Sequence, residues 1–196
     1  KISSCASFSA SLNFFAANSL LASSSLALLG DSRCDWAKAA EAPSLSPANF
    51  NAPGQIVLSG SLGACEAAVE AAAESGYRAK ALPVAGAFHS PLMQPAADRM
   101  AEVLDRIDLN APQVPVWSNV TAQPHENDVE TIKQRLVEQI TSPVRWSQSL
   151  VDMIEQGCGD FHELAPGKVL KGLMKRVDRK LEVQNHDSPD ATAVQS

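Results

Sequence analysis

The apolar residues between positions 91 and 107 have the spacing of a helix with one buried face. They follow an i, i+3, i+4 pattern: Leu92, Met93, Ala96, Ala97, Met100, Val103, Leu104 and Ile107. Ser90 is suited to cap this helix through its hydroxyl, and Pro91 suits the first helical position. The mostly apolar run 79–85 before it predicts a strand. The pattern therefore places His89 at a strand-to-helix junction.

The same two periodicities alternate through the middle of the chain. Further strands are predicted at 56–59, 114–120 and 160–164, and further helices at 64–74, 129–139, 146–156 and 167–177. A strand–helix–strand unit is predicted from the strand at 56–59, the helix at 64–74 and the strand at 79–85. This alternation predicts an α/β fold.

Composition narrows the class of protein. Hydrophobic residues make up 45% of the chain and charged residues 19%, which is enough apolar surface for a packed core. The net charge of −6 argues against a nucleic-acid-binding surface. The four cysteines, Cys5, Cys34, Cys65 and Cys158, lie far apart, and no pair of histidines has metal-ligand spacing. We therefore expect free thiols, no metal site and a cytoplasmic location.

The two ends of the chain have a different character. Residues 1–44 are rich in Ser, Ala and Leu and are left without an assigned fold. A secretory signal is an alternative for the first thirty residues, but Asn13 and Asn18 interrupt the apolar run and no cleavage site follows. The run is also too polar to span a membrane. Residues 183–196 are polar without periodicity, which predicts a disordered tail.

His89 has two interpretations from the pattern alone. A single histidine in a loop is more often a surface or hydrogen-bonded structural residue. A junction whose backbone is fixed on both sides is also where a catalytic base is held, with its ring free to face a cleft. His125 lies in a polar loop and His162 in a strand pattern, and both are weaker candidates.

Three segments together favour the catalytic interpretation. They are residues 86–93 (Gly-Ala-Phe-His-Ser-Pro-Leu-Met), residues 49–60 (Asn-Phe-Asn-Ala-Pro-Gly-Gln-Ile-Val-Leu-Ser-Gly) and residues 163–173 (Glu-Leu-Ala-Pro-Gly-Lys-Val-Leu-Lys-Gly-Leu). By the order of these segments along the chain and by the spacing between them, the chain resembles the C-terminal half of the malonyl-CoA:acyl carrier protein transacylases. The resemblance covers residues 45–179.

The resemblance implies a fold and a division of the chain. It implies part of an α/β-hydrolase-like acyltransferase domain with a ferredoxin-like small subdomain and without the N-terminal half. Residues 45–86 would form part of the small subdomain, and residues 87–182 the C-terminal part of the large α/β domain. Members of the family carry a serine in a Gly-His-Ser-Leu-Gly elbow and a carboxylate-gripping arginine in their first half, and this chain contains no such elbow.

The resemblance also implies an activity. Malonyl would pass from malonyl-CoA to the phosphopantetheine thiol of acyl carrier protein, through an acyl-serine whose serine lies outside this chain. Malonyl-CoA is then a substrate, and no cofactor, nucleic acid or membrane takes part. The alternative is a catalytically inactive fragment or binding scaffold of the same fold.

Two residues are assigned to catalysis by the resemblance. His89 would be the general base, and the backbone carbonyl of Gln139 would hold its ring in place of a carboxylate. The other interpretation of Gln139 is a surface residue at a helix end. A Gly-Ser-Leu-Gly string at residues 60–63 lacks the glycine that an elbow needs at position 59, so Ser61 is not the expected nucleophile.

Five further residues are implied in substrate binding. Phe88 and Ser90 belong to an Ala-Phe-His-Ser motif that accompanies malonyl selection in related acyltransferases, although Phe88 could instead be a core residue. Asn49, Asn51 and Gln55 surround a Pro-Gly turn, where they would either contact coenzyme A or make turn hydrogen bonds.

Overall fold

A computed structural model describes three stretches of the chain: the backbone of residues 23–29, and residues 45–164 and 166–186 with their side chains. Most of residues 1–44, Ala165 and residues 187–196 lie outside this description. The described elements form a four-stranded sheet with one helix packed on it, followed by four α-helices and a two-stranded sheet.

The four-stranded sheet is antiparallel throughout. Its strands are β1 (Ser23–Leu29), β2 (Leu45–Ala52), β3 (Gln55–Ser61) and β4 (Arg78–Leu82), in the order β2-β3-β1-β4. Helix α1 (Leu62–Glu74) connects β3 to β4 and packs on the sheet through a small core around Leu58 and Ala72. The sheet order and the connecting helix are those of a partial ferredoxin-like unit; the boundary assigned to that subdomain stays a prediction.

The sheet corrects the treatment of residues 1–44 as a segment without an assigned fold. β1 is an inner strand, paired with β3 from Ser23↔Ser61 to Leu29↔Gln55 and with β4 on its other side. Its sequence, Ser-Ser-Ser-Leu-Ala-Leu-Leu, does not alternate between polar and apolar positions. The partners on both sides provide the hydrogen bonds that define this strand, and such context is invisible to local pattern.

The second part of the chain carries the remaining elements. A 3₁₀ turn (Pro91–Met93) leads into α2 (Gln94–Leu104), followed by α3 (Val129–Glu138), α4 (Trp146–Glu155), β5 (Phe161–Glu163), α5 (Val169–Val177) and β6 (Val183–Asn185). Its core is one cluster of buried apolar side chains: Trp117, Trp146, Leu150, Met153, Met174 and Val183. The main apolar layer thus joins α4, α5 and β6.

Two predicted elements differ from those observed. The helix predicted at 91–107 is regular only from Gln94 to Leu104. The strand predicted at 114–120 is absent from this described region, where one isolated bridge joins Trp117 to Pro124. Pro112 and Pro115 have no N–H to donate, so this apolar segment cannot sustain a hydrogen-bonded ladder.

The prediction of a disordered tail from residue 183 is wrong for residues 183–186. β6 pairs in parallel with β5, and the backbone N–H of His186 donates to the carbonyl of Glu163 at 2.9 Å. Val183 is buried in the core cluster, and the amide of Asn185 donates to the Glu163 carboxylate at 3.3 Å. These contacts come from distant parts of the chain, so the polar composition of the segment does not reveal them.

Candidate active site

His89 lies in the loop between β4 and the 3₁₀ turn, with unusual backbone geometry. Its φ is +58°, in the left-handed region that a residue with a side chain seldom adopts. Buried residues flank it, since Ala87 and Ser90 are each 1% exposed. Such strain persists only where the surroundings enforce it, and it concentrates at functional sites.

Hydrogen bonds of Ser90 hold the backbone of this loop in place. Its hydroxyl donates to the carbonyl of Ala87 at 2.7 Å and accepts from the backbone N–H of Leu92 at 3.3 Å. The backbone N–H of Met93 donates to the Ser90 carbonyl at 3.0 Å. Ser90 therefore caps the turn, and its hydroxyl can donate to a substrate only if the bond to the Ala87 carbonyl breaks.

The ring of His89 has one defined partner. Its Nδ1 lies 2.8 Å from the backbone carbonyl oxygen of Gln139, fifty residues further along the chain. A carbonyl oxygen only accepts, so Nδ1 must carry a proton, and in the neutral ring Nε2 is left with its lone pair. The structure thus contains the contact implied by the family resemblance, in the tautomer that a base acting through Nε2 requires.

Gln139 is placed by α3. Asp128 caps the start of this helix by accepting from the backbone N–H of Thr131 at 2.8 Å, and the side-chain and backbone hydrogen bonds of Thr131 lower the pKa of the Asp128 carboxyl. Gln139 is the C-cap, where helix carbonyls lack partners within the helix. The partial negative charge at this end of a helix makes its carbonyl a good acceptor for the His89 N–H.

Asn119 is a site residue that the sequence reasoning missed. Its side-chain Nδ2 donates to the side-chain Oε1 of Gln139 at 2.9 Å. Asn119 lies in the segment mistaken for a strand, in a turn where the Ser118 N–H donates to the carbonyl of Gln123 at 2.9 Å. Asparagine favours turns, which was the available signal, but nothing local indicates its partner.

Phe88 lies beside the candidate base and is 37% exposed. Phe88 therefore lies on the surface of this chain, and its role in malonyl selection stays a prediction. The ring is accessible, as a residue that limits the space for an acyl group must be.

The hairpin residues reach the site indirectly. Asn49 forms a parallel bridge with Val144, and the backbone N–H of Phe50 donates to the Val144 carbonyl at 2.8 Å. Val144 follows Gln139 by five residues, so β2 is tied to the segment that holds the His89 ring. Asn51 falls at a register irregularity of β2, and Gln55 begins β3 beside the Pro-Gly turn.

The other candidate side chains have structural contacts. Ser61 caps α1, accepting from the backbone N–H of Ala64 at 3.3 Å, with an ordinary φ of −64°. His162 Nδ1 lies 2.9 Å from His186 Nε2. Within residues 45–164 and 166–186, no cluster of three or more potential metal ligands is found, and no helix there is both long and apolar enough to cross a bilayer.

Comparison with known proteins decides the family. The profile described as "Acyl transferase domain" matches residues 21–194. The chain belongs to the acyl transferase domain family. The match begins before Leu45 and ends after Arg179, so the similarity extends beyond the range assigned from the motifs. It includes part of the segment without an assigned fold.

Two relatives of this acyl transferase chain are named for malonyl transfer. This chain is 46% identical over 144 residues to the malonyl CoA-acyl carrier protein transacylase of Bacillus subtilis. The match covers 73% of this chain and 45% of the relative. The chain is similar to the structure of the acyl-carrier-protein S-malonyltransferase of Bartonella henselae, with TM-score 0.82, 37% identity, and coverage of 89% of this chain and 57% of that one.

A third similarity is to a complex. It contains a malonyl-transacylase bound to its type II PKS acyl-carrier protein, with TM-score 0.81, 37% identity, and coverage of 87% of this chain and 56% of that one. The chain spans about half the length of the relatives it matches. These similarities support the α/β acyltransferase fold expected from the sequence.

Proposed function

We propose that this chain carries the general-base half of a malonyl-CoA:acyl carrier protein transacylase. The observation that carries the proposal is the 2.8 Å contact between His89 Nδ1 and the Gln139 carbonyl, which leaves Nε2 as a proton acceptor. A neutral acceptor fixes the ring tautomer and orientation without adding a charge. The nucleophilic serine belongs to the part of the family that this chain does not match.

In the first half-reaction, Nε2 of His89 takes the proton of the serine hydroxyl. The serine oxygen forms a bond to the thioester carbon of malonyl-CoA, and the carbon–sulfur bond breaks. The departing thiolate takes the proton from Nε2, so free coenzyme A leaves and malonyl remains as a serine ester. Imidazole suits both roles because its ordinary pKa lies near neutrality.

The second half-reaction reverses these steps with a different thiol. His89 takes the proton of the phosphopantetheine thiol of acyl carrier protein, and the sulfur attacks the ester carbon. The serine oxygen leaves and recovers the proton from Nε2. The reaction needs no cofactor, since both acyl carriers are substrates. A solved relative in complex with its acyl carrier protein supports this partner.

Phe88 and the β2–β3 hairpin supply substrate contacts in this proposal. The exposed Phe88 ring next to His89 leaves little room for a branch at the α-carbon, so malonyl is preferred over its α-methyl homologue. Exclusion of one methyl group is worth about 1–3 kcal/mol, which gives a preference rather than an absolute choice. Asn49, Asn51 and Gln55 present amides toward coenzyme A from the hairpin.

A cytoplasmic location is part of the proposal. Among the described residues, Cys158 is a free thiol. Free thiols are typical of a reducing compartment, where malonyl-CoA is also available.

A fusion protein tests the proposed function. The part of the B. subtilis relative that precedes its 144-residue match is fused ahead of the residue of this chain at which that match begins. After gel filtration confirms a folded monomer, we expect the fusion to transfer radiolabelled malonyl from coenzyme A to acyl carrier protein, which the added N-terminal part alone does not do. A folded fusion that binds malonyl-CoA without transferring it would favour the inactive scaffold instead.

A further inference from the structure

The side chain of Gln139 has a contact that the base mechanism above does not use. Its Oε1 accepts from Asn119 Nδ2 at 2.9 Å, while its backbone carbonyl accepts from His89 Nδ1 at 2.8 Å. Gln139 is therefore held at both ends, by the ring it orients and by a turn that is distant in sequence.

The turn that carries Asn119 is well anchored. The indole N–H of Trp117, a core residue, donates to Asp152 of α4 at 2.6 Å. The carbonyl of Asn119 accepts from the backbone N–H of Arg145 at 3.0 Å, directly before α4. The hydroxyl of Ser118, a buried residue, accepts from the backbone N–H of Val120 at 3.2 Å. Asn119 thus projects from a rigid base.

The Gln139 backbone, in contrast, lies at a helix end. The backbone N–H of Gln139 still follows the helical pattern and donates to the Arg135 carbonyl at 3.1 Å. The next residue does not, because the Ile140 N–H donates to the Val137 carbonyl in a tighter turn. Helix ends fray, so the direction of the last carbonyl depends on what holds the terminal residue. The side-chain bond to Asn119 supplies that support.

We propose that Asn119 is a positioning residue for His89, acting through the Gln139 side chain to fix the carbonyl that sets the ring tautomer. It touches neither substrate nor reacting atoms. The inference rests on the proposed function for its catalytic meaning, because only a base that works through Nε2 needs this tautomer.

Nitrogen NMR of the full chain with ¹⁵N-labelled histidine tests the proposal directly. The four histidines give few signals, and His→Gln variants assign them. We expect the wild-type His89 ring to show a protonated Nδ1 and an unprotonated Nε2 with well-separated shifts. In Asn119→Ala the two shifts should move toward each other, because the ring then exchanges between tautomers.

Two comparisons separate positioning from general damage. Asn110→Ala, a substitution of an exposed asparagine, should leave the His89 signals unchanged. The signals of His125 and His162 should stay in place in every variant, which shows that the fold is intact. Should Asn119→Ala unfold, Gln139→Ala removes the same bond from its other side and should give the same spectrum.

A double variant tests whether Asn119 acts on His89 through the Gln139 side chain. If Asn119 acts through Gln139, adding Asn119→Ala to Gln139→Ala causes no further change. Unchanged His89 shifts in Asn119→Ala, or a second displacement in the double variant, would overturn the proposal. The readout is the position of a proton, so failure of malonyl transfer in the fusion would overturn the proposed function and leave this result standing.

Discussion

The indole N–H of Trp117 donates to the carboxylate of Asp152 at 2.6 Å, joining the turn 117–124 to α4. Asp152 also accepts from Gln123 Nε2 at 2.9 Å and from Gln156 Nε2 at 2.8 Å. One carboxylate therefore organises the turn from which Asn119 reaches Gln139.

Removal of this carboxylate should destabilise the fold. In Asp152→Ala the indole N–H of the buried Trp117 loses its partner, and an unsatisfied buried donor costs about 1–3 kcal/mol. Urea unfolding should show a loss of this size. Asp108→Ala, at an exposed position, is the matched control and should change stability by less than about 0.5 kcal/mol. Equal effects of the two substitutions would show that the carboxylate contributes nothing specific.

Glu163 should stabilise the start of α5. The residue is 3% exposed, and its two carboxylate oxygens accept from the backbone N–H groups of Leu170 at 2.9 Å and Lys171 at 3.0 Å. The N-cap residue, Lys168, makes no such side-chain bond. Glu163→Ala should therefore cost about 1–3 kcal/mol, and Glu163→Gln, which keeps one acceptor oxygen, should cost less.

Hydrogen exchange locates the effect of Glu163. The amides of Leu170 and Lys171 should exchange faster in Glu163→Ala than in wild type, whereas Glu155→Ala, on the exposed end of α4, should leave them unchanged. Unchanged protection of both amides in Glu163→Ala would contradict the capping role.

His125 should make stability depend on pH. Burial, and after it the nearby Arg135 charge, lower the pKa of His125 below its ordinary value of 6.5. The unfolded chain then binds this proton more readily than the folded one, so the contribution is complete above pH 6.5 and is lost as the pH falls through the folded-state pKa. Between about pH 7.5 and 5.5, wild type should lose more stability than His125→Gln. Parallel curves for the two proteins would contradict the shift.

The chain alone should not form an acyl-enzyme. It has no elbow serine, and the hydroxyl of Ser61 accepts from the backbone N–H of Ala64 as the cap of α1. Incubation with radiolabelled malonyl-CoA should therefore leave no covalent label on the purified protein. A stoichiometric label that Ser61→Ala abolishes would show that the nucleophile lies in this chain.

Sequence pattern accounts for the local features of this molecule. The periodicity at 129–139 and 146–156 predicted α3 and α4 to within one residue at each end, because each helix turns one apolar stripe toward the core. The motif around His89 predicted its contact with the Gln139 carbonyl, through resemblance to a family.

The features that were missed depend on distant partners. β1 exists because β3 and β4 flank it, and β6 because Val183 and Asn185 meet the core and Glu163. Asn119 acquires its role from a side chain twenty residues away. None of these pairings leaves a trace in local composition, so each required the three-dimensional structure.

The central claim, that His89 is the general base, is tested most directly by the rate of serine acylation in the fusion protein. Rapid-quench measurement of malonyl-serine formation should show a loss of at least about a thousandfold in His89→Ala, since the hydroxyl then keeps its proton. His125→Ala and His162→Ala should stay within a few fold of wild type, because neither ring touches Gln139. Acylation at the wild-type rate in His89→Ala, with a collapse in His162→Ala, would contradict the account.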